Sequence, residues 1–333
     1  MKPPLIALAT ASKTFTQPGI GWVKLPWQSA ISNQGMRAVD QVSLAIAQSE
    51  VLGLVGESGC GKSTLGRMLV GLQSLSQGQR LYEGMDMANM NARQLQQAQL
   101  AMQMIFQDPA AALNPRLPVR ELIGEAPRVH GLIARQDQTN YVADLLGKVG
   151  LDASMMRRYV HQFSGGQKAR IGIARALAVQ PRLLVCDESV AALDVSVQAQ
   201  ILNLFADLRD SLGLTYLFIS HNLAVVRHLC DRVAVMYLGR IVEQATVEQL
   251  FSAPRHPYTQ GLLAAAPTLT LGKRQFVAIK GEIASPLQPP SGCHFHPRCP
   301  LASQVPNQRC QKEAPRLQTL ADGSQVACHL IHP

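Results

Sequence analysis

Short, nearly continuous apolar runs recur along the chain and predict buried strands. They cover Val51–Val55, Met102–Phe106, Leu183–Cys186 and Leu214–Ile219, and each is followed by a polar or glycine-rich turn. Runs of this length are typical of strands that are buried on both faces of a largely parallel sheet. Amphipathic stretches lie between the runs, and such an alternation of strands and helices predicts an α/β fold.

Three segments depart from this alternation. Between about residues 108 and 165 the apolar positions follow helical spacing, which predicts an inserted helical subdomain. The stretch from Gln17 to Gly35 contains both tryptophans, and we interpret it as an exposed insertion between the first two strands. After residue 250 the chain holds eleven of its twenty prolines and four clustered cysteines. The pattern therefore predicts a main domain over residues 1–250 and a loop-dominated C-terminal extension over residues 251–333.

The composition is that of an ordinary soluble protein, with 47% apolar and 16% charged residues among 333. No apolar run approaches the roughly 18–20 residues that a membrane-spanning helix needs. The first residues lack a cationic segment followed by an apolar stretch, so they do not resemble a secretory signal. We therefore expect the protein to stay in the cytosol.

The 31 basic and 22 acidic residues give a formal net charge of +9. Such a charge suits nucleic acid, an anionic membrane surface or a polyphosphate ligand, and it does not choose among them. Lysine and arginine are scattered without a run of five or more, so the sequence shows no basic arm.

A glycine-rich loop follows the first of the predicted buried strands. Gly56–Thr64 reads GESGCGKST and precedes a helical pattern, which matches the phosphate loop G-x-x-x-x-G-K-[ST]. Its glycines let backbone N–H groups face an anion, and the helix directs its positive end to the same place. Lys62 can reach the β- and γ-phosphates, and the Ser63 hydroxyl can ligate Mg²⁺. The other loop residues expected to contact nucleotide are Gly56, Ser58, Gly59, Cys60, Gly61 and Thr64.

Two adjacent carboxylates, Asp187 and Glu188, follow the predicted strand Leu183–Cys186. Open α/β folds bind ligands at the carboxyl edge of the sheet, and this strand places both carboxylates at that edge. Asp187 can hold Mg²⁺, and Glu188 can polarise the attacking water of phosphoryl transfer. The alternative interpretation is that the pair caps a helix.

Gln107 and His221 also follow predicted strands. Each would lie at the same sheet edge as Glu188, and His221 would face the γ-phosphate, although a single histidine after a strand is often structural. We predict a catalytic role for both residues.

A second anion receptor is predicted where residues 163–168 read FSGGQK at the start of a helix. This stretch resembles the signature of ABC ATPases. The resemblance implies that Ser164, Gly165, Gly166 and Gln167 complete the ATP site of a facing subunit. It further implies that Gln107 is the Q-loop glutamine, which also ligates Mg²⁺.

Three further assignments follow from the same resemblance. His221 becomes the switch histidine, Ala192–Asp194 becomes the D-loop with Asp194 near the nucleotide, and Phe15 becomes the residue that stacks on adenine. Asn222 stands where the family usually has aspartate, and asparagine caps a helix about as well. The implied fold is that of a P-loop NTPase with an antiparallel N-terminal β subdomain.

Within the ABC ATPases, the chain resembles the peptide/nickel importer branch. Within that branch, it is similar to the F-type ATPases of dipeptide and oligopeptide permeases. The segments that carry it include QDP at 107–109, LDVSV at 193–197 and RHPYTQ at 255–260. It implies an ATPase at the cytoplasmic face of the inner membrane, bound peripherally. Its implied partners are a homologous D-type ATPase in a heterodimer, two transmembrane permease subunits and an extracytoplasmic solute-binding protein. The alternatives are an importer for nickel or another small solute, or a soluble ABC protein that acts on nucleic acid, a partner we do not expect.

The C-terminal cysteines, Cys293, Cys299, Cys310 and Cys328, are separated by five, ten and seventeen residues. This spacing fits neither an ordinary zinc finger nor the ferredoxin patterns. From chemistry alone, zinc, an iron–sulfur cluster and free thiols all remain open, and nearby histidines leave a mixed ligand set open too. The family resemblance implies a [4Fe–4S] cluster, with Zn²⁺ as the alternative.

Overall fold

The computed structural model describes residues 3–16, 35–108, 111–191, 193–265, 279 and 281–331. The predicted insertion at Gln17–Gly35, apart from Gly35, lies outside the described residues, as does Ala192 of the predicted D-loop. In the described part of the chain, no helix is long and apolar enough to cross a membrane.

The described residues form strands and helices in regular alternation over the middle of the chain. The strands are β1 (Ile6–Phe15), β2 (Met36–Ile46), β3 (Val51–Val55), β4 (Gln77–Tyr82), β5 (Met85–Asp86), β6 (Met102–Ile105), β7 (Leu183–Asp187), β8 (Thr215–Ile219), β9 (Arg232–Tyr237), β10 (Arg240–Thr246), β11 (Gln318–Thr319) and β12 (Gln325–Val326). The helices are α1 (Lys62–Val70), α2 (Ala92–Leu100), α3 (Val119–Val129), α4 (Gln138–Lys148), α5 (Gly165–Leu177), α6 (Val195–Leu212), α7 (Leu223–Leu229), α8 (Val247–Ser252), α9 (Pro257–Ala264) and α10 (Arg309–Lys312).

The main sheet has the strand order β11-β12-β10-β9-β3-β8-β7-β6. Strands β9, β3, β8, β7 and β6 pair in parallel, and β10, β12 and β11 extend the sheet by antiparallel pairing. Every residue of β3, β7 and β8 is buried because both faces of the sheet are covered. The predicted α/β fold with a mostly parallel core sheet is confirmed, and the four predicted strands agree with the observed ones to within one residue at each end.

Side chains of the parallel strands alternate between two apolar cores, as the two-residue period of a strand requires. Leu52 and Leu54 pack with α1 and the N-terminal sheet on one face. Val51 and Val55 pack on the other face, in the core that includes α5, α6 and α7. The phosphate loop therefore leaves a strand that is fixed from both sides.

An antiparallel N-terminal sheet and a helical segment complete the predicted architecture. The sheet has the order β2-β1-β4-β5. Helices α3 and α4 pack against each other and against α5, within the segment predicted to be helical. These two features of the predicted fold are confirmed, while the domain boundaries stay predictions.

The C-terminal extension consists mostly of loops and short turns in its described residues, and it also contributes two short strands that the composition did not predict. Its strands β12 and β11 continue the main sheet by pairing with β10 and with each other. The predicted boundary after residue 250 falls inside helix α8. Two-residue strands carry no recognisable periodicity, which is why the sequence pattern did not reveal them. The extension is thus built onto the sheet that carries the phosphate loop.

Candidate active site

The phosphate loop connects β3 to α1 and passes very close to neighbouring backbone. A Cβ atom at Gly56 would lie 2.1 Å from the carbonyl oxygen of Met236, and one at Gly61 would lie 2.2 Å from that of Ala38. Both glycines also have positive φ values, 153° and 106°. Only glycine satisfies both the close approach and the left-handed backbone, so these two positions fix the course of the loop.

Lys62 lies inside the loop and is buried. Its ammonium group donates to the carbonyl oxygens of Gly56 and Glu57, at 2.8 and 2.9 Å. Helix α1 begins at this lysine, and its N-cap residue Gly61 provides no side-chain cap. The first N–H groups of the helix therefore face the loop interior together with a fixed positive charge, which is the donor set that a phosphate requires.

Ser63 and Asp187 lie next to each other at the carboxyl edge of the sheet. The Ser63 hydroxyl donates to Asp187 Oδ1 at 2.8 Å. Burial raises the pKa of Asp187 above its ordinary value, although the bond from Ser63 acts in the opposite direction. A hydroxyl and a carboxylate are oxygen ligands of the kind that Mg²⁺ prefers, so this pair could hold the metal of a nucleotide.

Glu188 follows Asp187 in a left-handed backbone conformation with a φ of 46°. Its N–H group donates to the carbonyl oxygen of Ile219 on the neighbouring strand, at 3.0 Å. The next helix, α6, begins at Val195 with Asp194 as its N-cap residue. The alternative interpretation, in which the acidic pair caps a helix, is therefore wrong. The turn instead directs the Glu188 carboxylate out of the strand, at a cost of roughly 1 kcal/mol for a non-glycine residue.

Gln107 and His221 meet at the Glu188 carboxylate. The Gln107 Nε2 group donates to Glu188 Oε2 at 2.9 Å, and His221 Nδ1 lies 3.3 Å from Glu188 Oε1. The three side chains come from the ends of β6, β7 and β8, which are neighbours in the sheet. The structure thus brings together the three residues that the sequence placed at one sheet edge. His221 is exposed, so an approaching ligand can reach this group.

Ser164 caps helix α5 in a reciprocal arrangement. Its hydroxyl accepts from the Gln167 N–H group at 3.3 Å, and the Gln167 side chain accepts from the Ser164 N–H group at 3.0 Å. Ser164 and Gly165 are exposed at the start of the helix. The arrangement leaves the positive end of a thirteen-residue helix open to an anion.

Two glycines of this helix start pack against the start of α6 and the segment before it. A Cβ atom at Gly166 would lie 2.6 Å from Val197 Cγ1, and one at Gly165 would lie 3.7 Å from Leu193 Cδ2. The predicted signature and the predicted D-loop are therefore neighbours in space.

Two family models match the chain. The first, described as ABC transporter, matches residues 39–191. The second, described as the oligopeptide/dipeptide transporter C-terminal region, matches residues 242–305. The chain is 47% identical over 299 residues to the oligopeptide transport ATP-binding protein AppF of Bacillus subtilis, with 89% of this chain and 90% of that protein covered. This chain belongs to the ABC transporter ATP-binding family.

Other relatives agree with this membership of the ABC family. The dipeptide transport ATP-binding protein DppF of Haemophilus influenzae is 44% identical over 299 residues, with 90% of each protein covered. The probable peptide ABC transporter ATP-binding protein y4tS of Sinorhizobium fredii is 50% identical, with 90% of this chain and 84% of that protein covered. The predicted resemblance to F-type ATPases is confirmed.

Solved structures confirm the ABC ATPase fold. The structure of cbiO1 from Clostridium perfringens, part of the transporter complex cbiONQ, has a TM-score of 0.63 at 23% identity and covers 76% of this chain and 92% of that one. The ATP-binding cassette MJ0796, in a dimeric post-hydrolysis state bound to ADP and Pi, has a TM-score of 0.61 at 23% identity, with 73% and 98% covered.

Phe15 of this ABC ATPase lies at the end of β1, opposite Met36 of β2. The residue two positions further along β2 is Ala38, whose carbonyl closely approaches Gly61 of the phosphate loop. The Lys13 ammonium group lies 5.4 Å from the centre of the Phe15 ring. The half-buried ring is thus connected to the loop through one strand, and its contact with adenine stays a prediction.

The four C-terminal cysteines line one cavity, together with Phe295 and three histidines. Burial raises the pKa of each thiol, that of Cys293 to about 12, and neighbouring thiols further raise the pKa of Cys293, Cys299 and Cys310. In the described part of the chain, however, no group of three or more His, Cys, Asp or Glu side chains has an arrangement that could hold a metal ion. The cysteines are therefore neighbours without forming a closed ligand set.

Sequence reasoning did not predict the contacts that Glu57 of the phosphate loop makes with the C-terminal extension. Its carboxylate binds Arg298, and its N–H group donates to the Tyr258 hydroxyl. Arg298 lies 241 positions from Glu57 along the chain, and no local pattern connects residues so far apart. The RHPYTQ segment at 255–260 contains Tyr258, so this segment is the sequence signal that could have indicated a contact between the extension and the phosphate loop.

Proposed function

We propose that this chain is the ATP-hydrolysing subunit of an importer for dipeptides or oligopeptides. The relatives AppF, DppF and y4tS are named for peptide or oligopeptide transport, and two of them match over about nine tenths of both chains. The C-terminal extension matches a family that is itself described by oligopeptide and dipeptide transport. These names favour peptides over nickel, another small solute or nucleic acid.

The proposed nucleotide site is assembled around the phosphate loop. Lys62 and the first N–H groups of α1 hold the phosphates, while Ser63 and Asp187 hold Mg²⁺, with Gln107 as a further ligand. The 2.8 Å contact between Ser63 and Asp187 supports this, since both oxygens can turn to one cation. When bound, Mg²⁺ would neutralise charge that develops on the phosphates. It would also offset the burial that raises the pKa of Asp187.

The observation that carries the proposal is the carboxylate of Glu188, which accepts a hydrogen bond from Gln107 at one oxygen and lies 3.3 Å from His221 Nδ1 at the other. A carboxylate that is fixed at the edge of the phosphate site can orient a water molecule for attack on the γ-phosphate. His221 lies within reach of the same carboxylate and can contact the transferred phosphate. We assign Glu188 as the residue that positions water. Gln107 and His221 help to hold Glu188, in addition to the contacts proposed for them with Mg²⁺ and with the transferred phosphate.

We further propose that a second ATPase subunit closes over the nucleotide. The helix start at Ser164 is exposed and presents hydrogen-bond donors. Among the described residues, the Ser164 side chain contacts Gln167 and no residue of this chain's own phosphate loop. MJ0796, which shares the fold, is described as dimeric with ADP and Pi bound. The partner subunit in this proposal is a homologous D-type ATPase.

The remaining proposed partners belong to the membrane. They are two permease subunits and an extracytoplasmic solute-binding protein, which places this chain at the cytoplasmic face of the inner membrane as a peripheral subunit. Copurification from detergent-solubilised membranes checks this assembly. Recovery of nucleic acid with the tagged chain, in place of two integral membrane proteins, would contradict it.

We also propose that the four C-terminal cysteines hold a [4Fe–4S] cluster. All four thiols line one cavity, and cysteine thiolates are the usual ligands of such a cluster. When bound, it would join four segments of the extension. Iron and sulfide in anaerobically purified, brown protein would support the cluster, and colourless protein with one zinc per chain would contradict it.

The function is tested by ATP hydrolysis in the assembled transporter. Glu188→Gln keeps the shape of the side chain but removes the carboxylate, so we expect ATP binding to persist while turnover falls by at least about 100-fold. Lys62→Ala is expected to lose ATP binding itself. Normal turnover by the Glu188→Gln complex would contradict the role given to this carboxylate, and unchanged binding by Lys62→Ala would contradict the site.

A further inference from the structure

The C-terminal extension reaches the phosphate loop through one arginine. Arg298 lies in the short turn His296–Arg298, and its guanidinium group donates two hydrogen bonds to the Glu57 carboxylate. The two distances are 2.7 Å from Nη1 to Oε2 and 3.0 Å from Nη2 to Oε1. The Arg298 side chain is 6% exposed and that of Glu57 is 23% exposed. This is a paired, bidentate contact that is largely shielded from water.

A cluster of aromatic rings restrains the Arg298 side chain. Arg298 Nη1 also donates to the Tyr237 hydroxyl at 3.4 Å, and its guanidinium carbon lies 5.8 Å from the centre of the Tyr237 ring. The rings of Tyr237, Tyr258 and Phe295 contact one another, with centres 4.7 to 5.4 Å apart. Each of these three side chains is fully buried. The arginine therefore has little freedom to leave Glu57.

Glu57 is held on three sides, and two of them belong to the extension. Its carboxylate binds Arg298, and its N–H group donates to the Tyr258 hydroxyl at 2.9 Å. Its carbonyl oxygen accepts from the Lys62 ammonium group at 2.9 Å. One residue of the loop thus connects the extension directly to the lysine that faces the phosphates.

The charge of Glu57 gives this connection its importance. A carboxylate beside a polyphosphate repels it, and the repulsion is strong where water is scarce. Arg298 neutralises that carboxylate with a guanidinium group that stays charged at any physiological pH. Removal of one partner of a shielded ion pair leaves the other charge without compensation. Without Arg298, the Glu57 charge would both distort the loop and oppose ATP.

We infer that Arg298 of the C-terminal extension is a positioning residue for ATP, and that it acts on the phosphate loop through Glu57. This inference rests on the proposed nucleotide site but assigns a role that lies outside the ABC core. The Tyr258 hydroxyl also holds Glu57, by accepting a hydrogen bond from its backbone N–H group. The extension is therefore part of the machinery that binds nucleotide as well as an addition to the fold.

The test is a double-mutant cycle on the full-length chain, read as the Kd of a fluorescent ATP analogue with Mg²⁺. Arg298→Met keeps the apolar length of the side chain, and we expect it to raise Kd about tenfold, which corresponds to about 1.4 kcal/mol. In the Glu57→Gln background, the same substitution is expected to change Kd less than about twofold, because the unpaired charge is then absent. Arg255→Met, which removes an exposed ion pair with Asp322 elsewhere in the extension, is the matched control and should leave Kd unchanged.

Thermal unfolding shows whether each variant is folded before its Kd is read. If Arg298→Met does not fold, Arg298→Lys replaces it, with an expected rise in Kd of about threefold because the bidentate geometry is lost. Two results would overturn the inference. One is an equal loss of affinity in the wild-type and Glu57→Gln backgrounds, and the other is no loss of affinity in the wild-type background. Lys62→Ala keeps the two hypotheses apart, since unchanged binding by that variant would reject the nucleotide site itself.

Discussion

At the scale of single residues, the site depends on a carboxylate whose two oxygens both have a partner. One oxygen of Glu188 is bound by Gln107 and the other by His221. The turn that presents this carboxylate is held by a backbone bond to β8 in spite of its left-handed conformation. A residue kept in an unfavourable conformation by its surroundings is commonly one that function requires. The geometry at Glu188 is therefore a property of three adjacent strands.

A second residue, His256, makes stability depend on pH. It is buried at the start of α9, where its Nδ1 atom accepts from the Tyr258 N–H group at 3.0 Å. Burial lowers its pKa to about 3, whereas an unfolded histidine titrates near 6.5. The unfolded chain therefore binds more protons below pH 6.5, and the stability that the neutral ring provides is lost as pH falls towards 3.

We predict that His256→Asn removes this pH dependence, because asparagine can cap the helix without titrating. Between about pH 7 and about pH 5, the wild-type chain should lose about 2 kcal/mol of unfolding free energy more than the variant does. Urea unfolding at each pH measures this difference. Parallel pH profiles for the two proteins would contradict the prediction.

The residues that sequence could predict are those with a local signature. Lys62, Ser63, Asp187 and Glu188 stand in short motifs beside recognisable strands, and the structure brings them to one edge. The role of Arg298 could not be predicted in this way because its partner lies 241 positions away. The bond between them exists only after the extension has packed onto the sheet.

At the scale of elements, the start of α5 is fitted to the start of α6. A Cβ atom added at Gly166 would lie 2.6 Å from Val197 Cγ1, which is closer than side chains tolerate. A larger residue at this position requires the Val197 side chain or one of the two helices to shift. The helix that presents Ser164 therefore takes its position from α6, which follows the Asp187 and Glu188 strand.

We predict that Gly166→Ala lowers the free energy of unfolding by about 1 kcal/mol, because overpacking outweighs the gain in helix propensity. Gly147→Ala is the matched control in α4, where an added Cβ would meet no atom within 4 Å. This control should raise the free energy of unfolding by about 0.5–1 kcal/mol. Urea unfolding measures both changes. Addition of Val197→Ala to Gly166→Ala should recover part of the lost free energy of unfolding. Equal changes for Gly166→Ala and Gly147→Ala would contradict the prediction.

The length of an element decided whether the sequence could predict it. The five-residue strands β3, β7 and β8 are buried on both faces and stand out as apolar runs. Strands β11 and β12 have two residues each, and they form because β10 offers a free edge. That edge is a property of the folded sheet, so a local pattern could not reveal the pairing.

At the scale of the whole molecule, three parts of the chain converge on the phosphate loop. The N-terminal sheet contributes the carbonyl of Ala38 beside Gly61, and β9 contributes that of Met236 beside Gly56. The C-terminal extension holds Glu57 by its side chain and its N–H group. The loop is thus contacted by three parts of the fold, and in the proposed assembly its nucleotide lies between this chain and a second subunit.

In the proposed assembly, ATP binds between the phosphate loop of this chain and the signature helix of a second ATPase subunit. The most direct measurement is an electron cryomicroscopy structure of the transporter with Mg-ATP, carrying Glu188→Gln to prevent hydrolysis. We expect the γ-phosphate to contact Lys62 of this chain and the signature serine of the facing subunit. A triphosphate enclosed by one subunit alone, with Ser164 distant from any such interface, would contradict it.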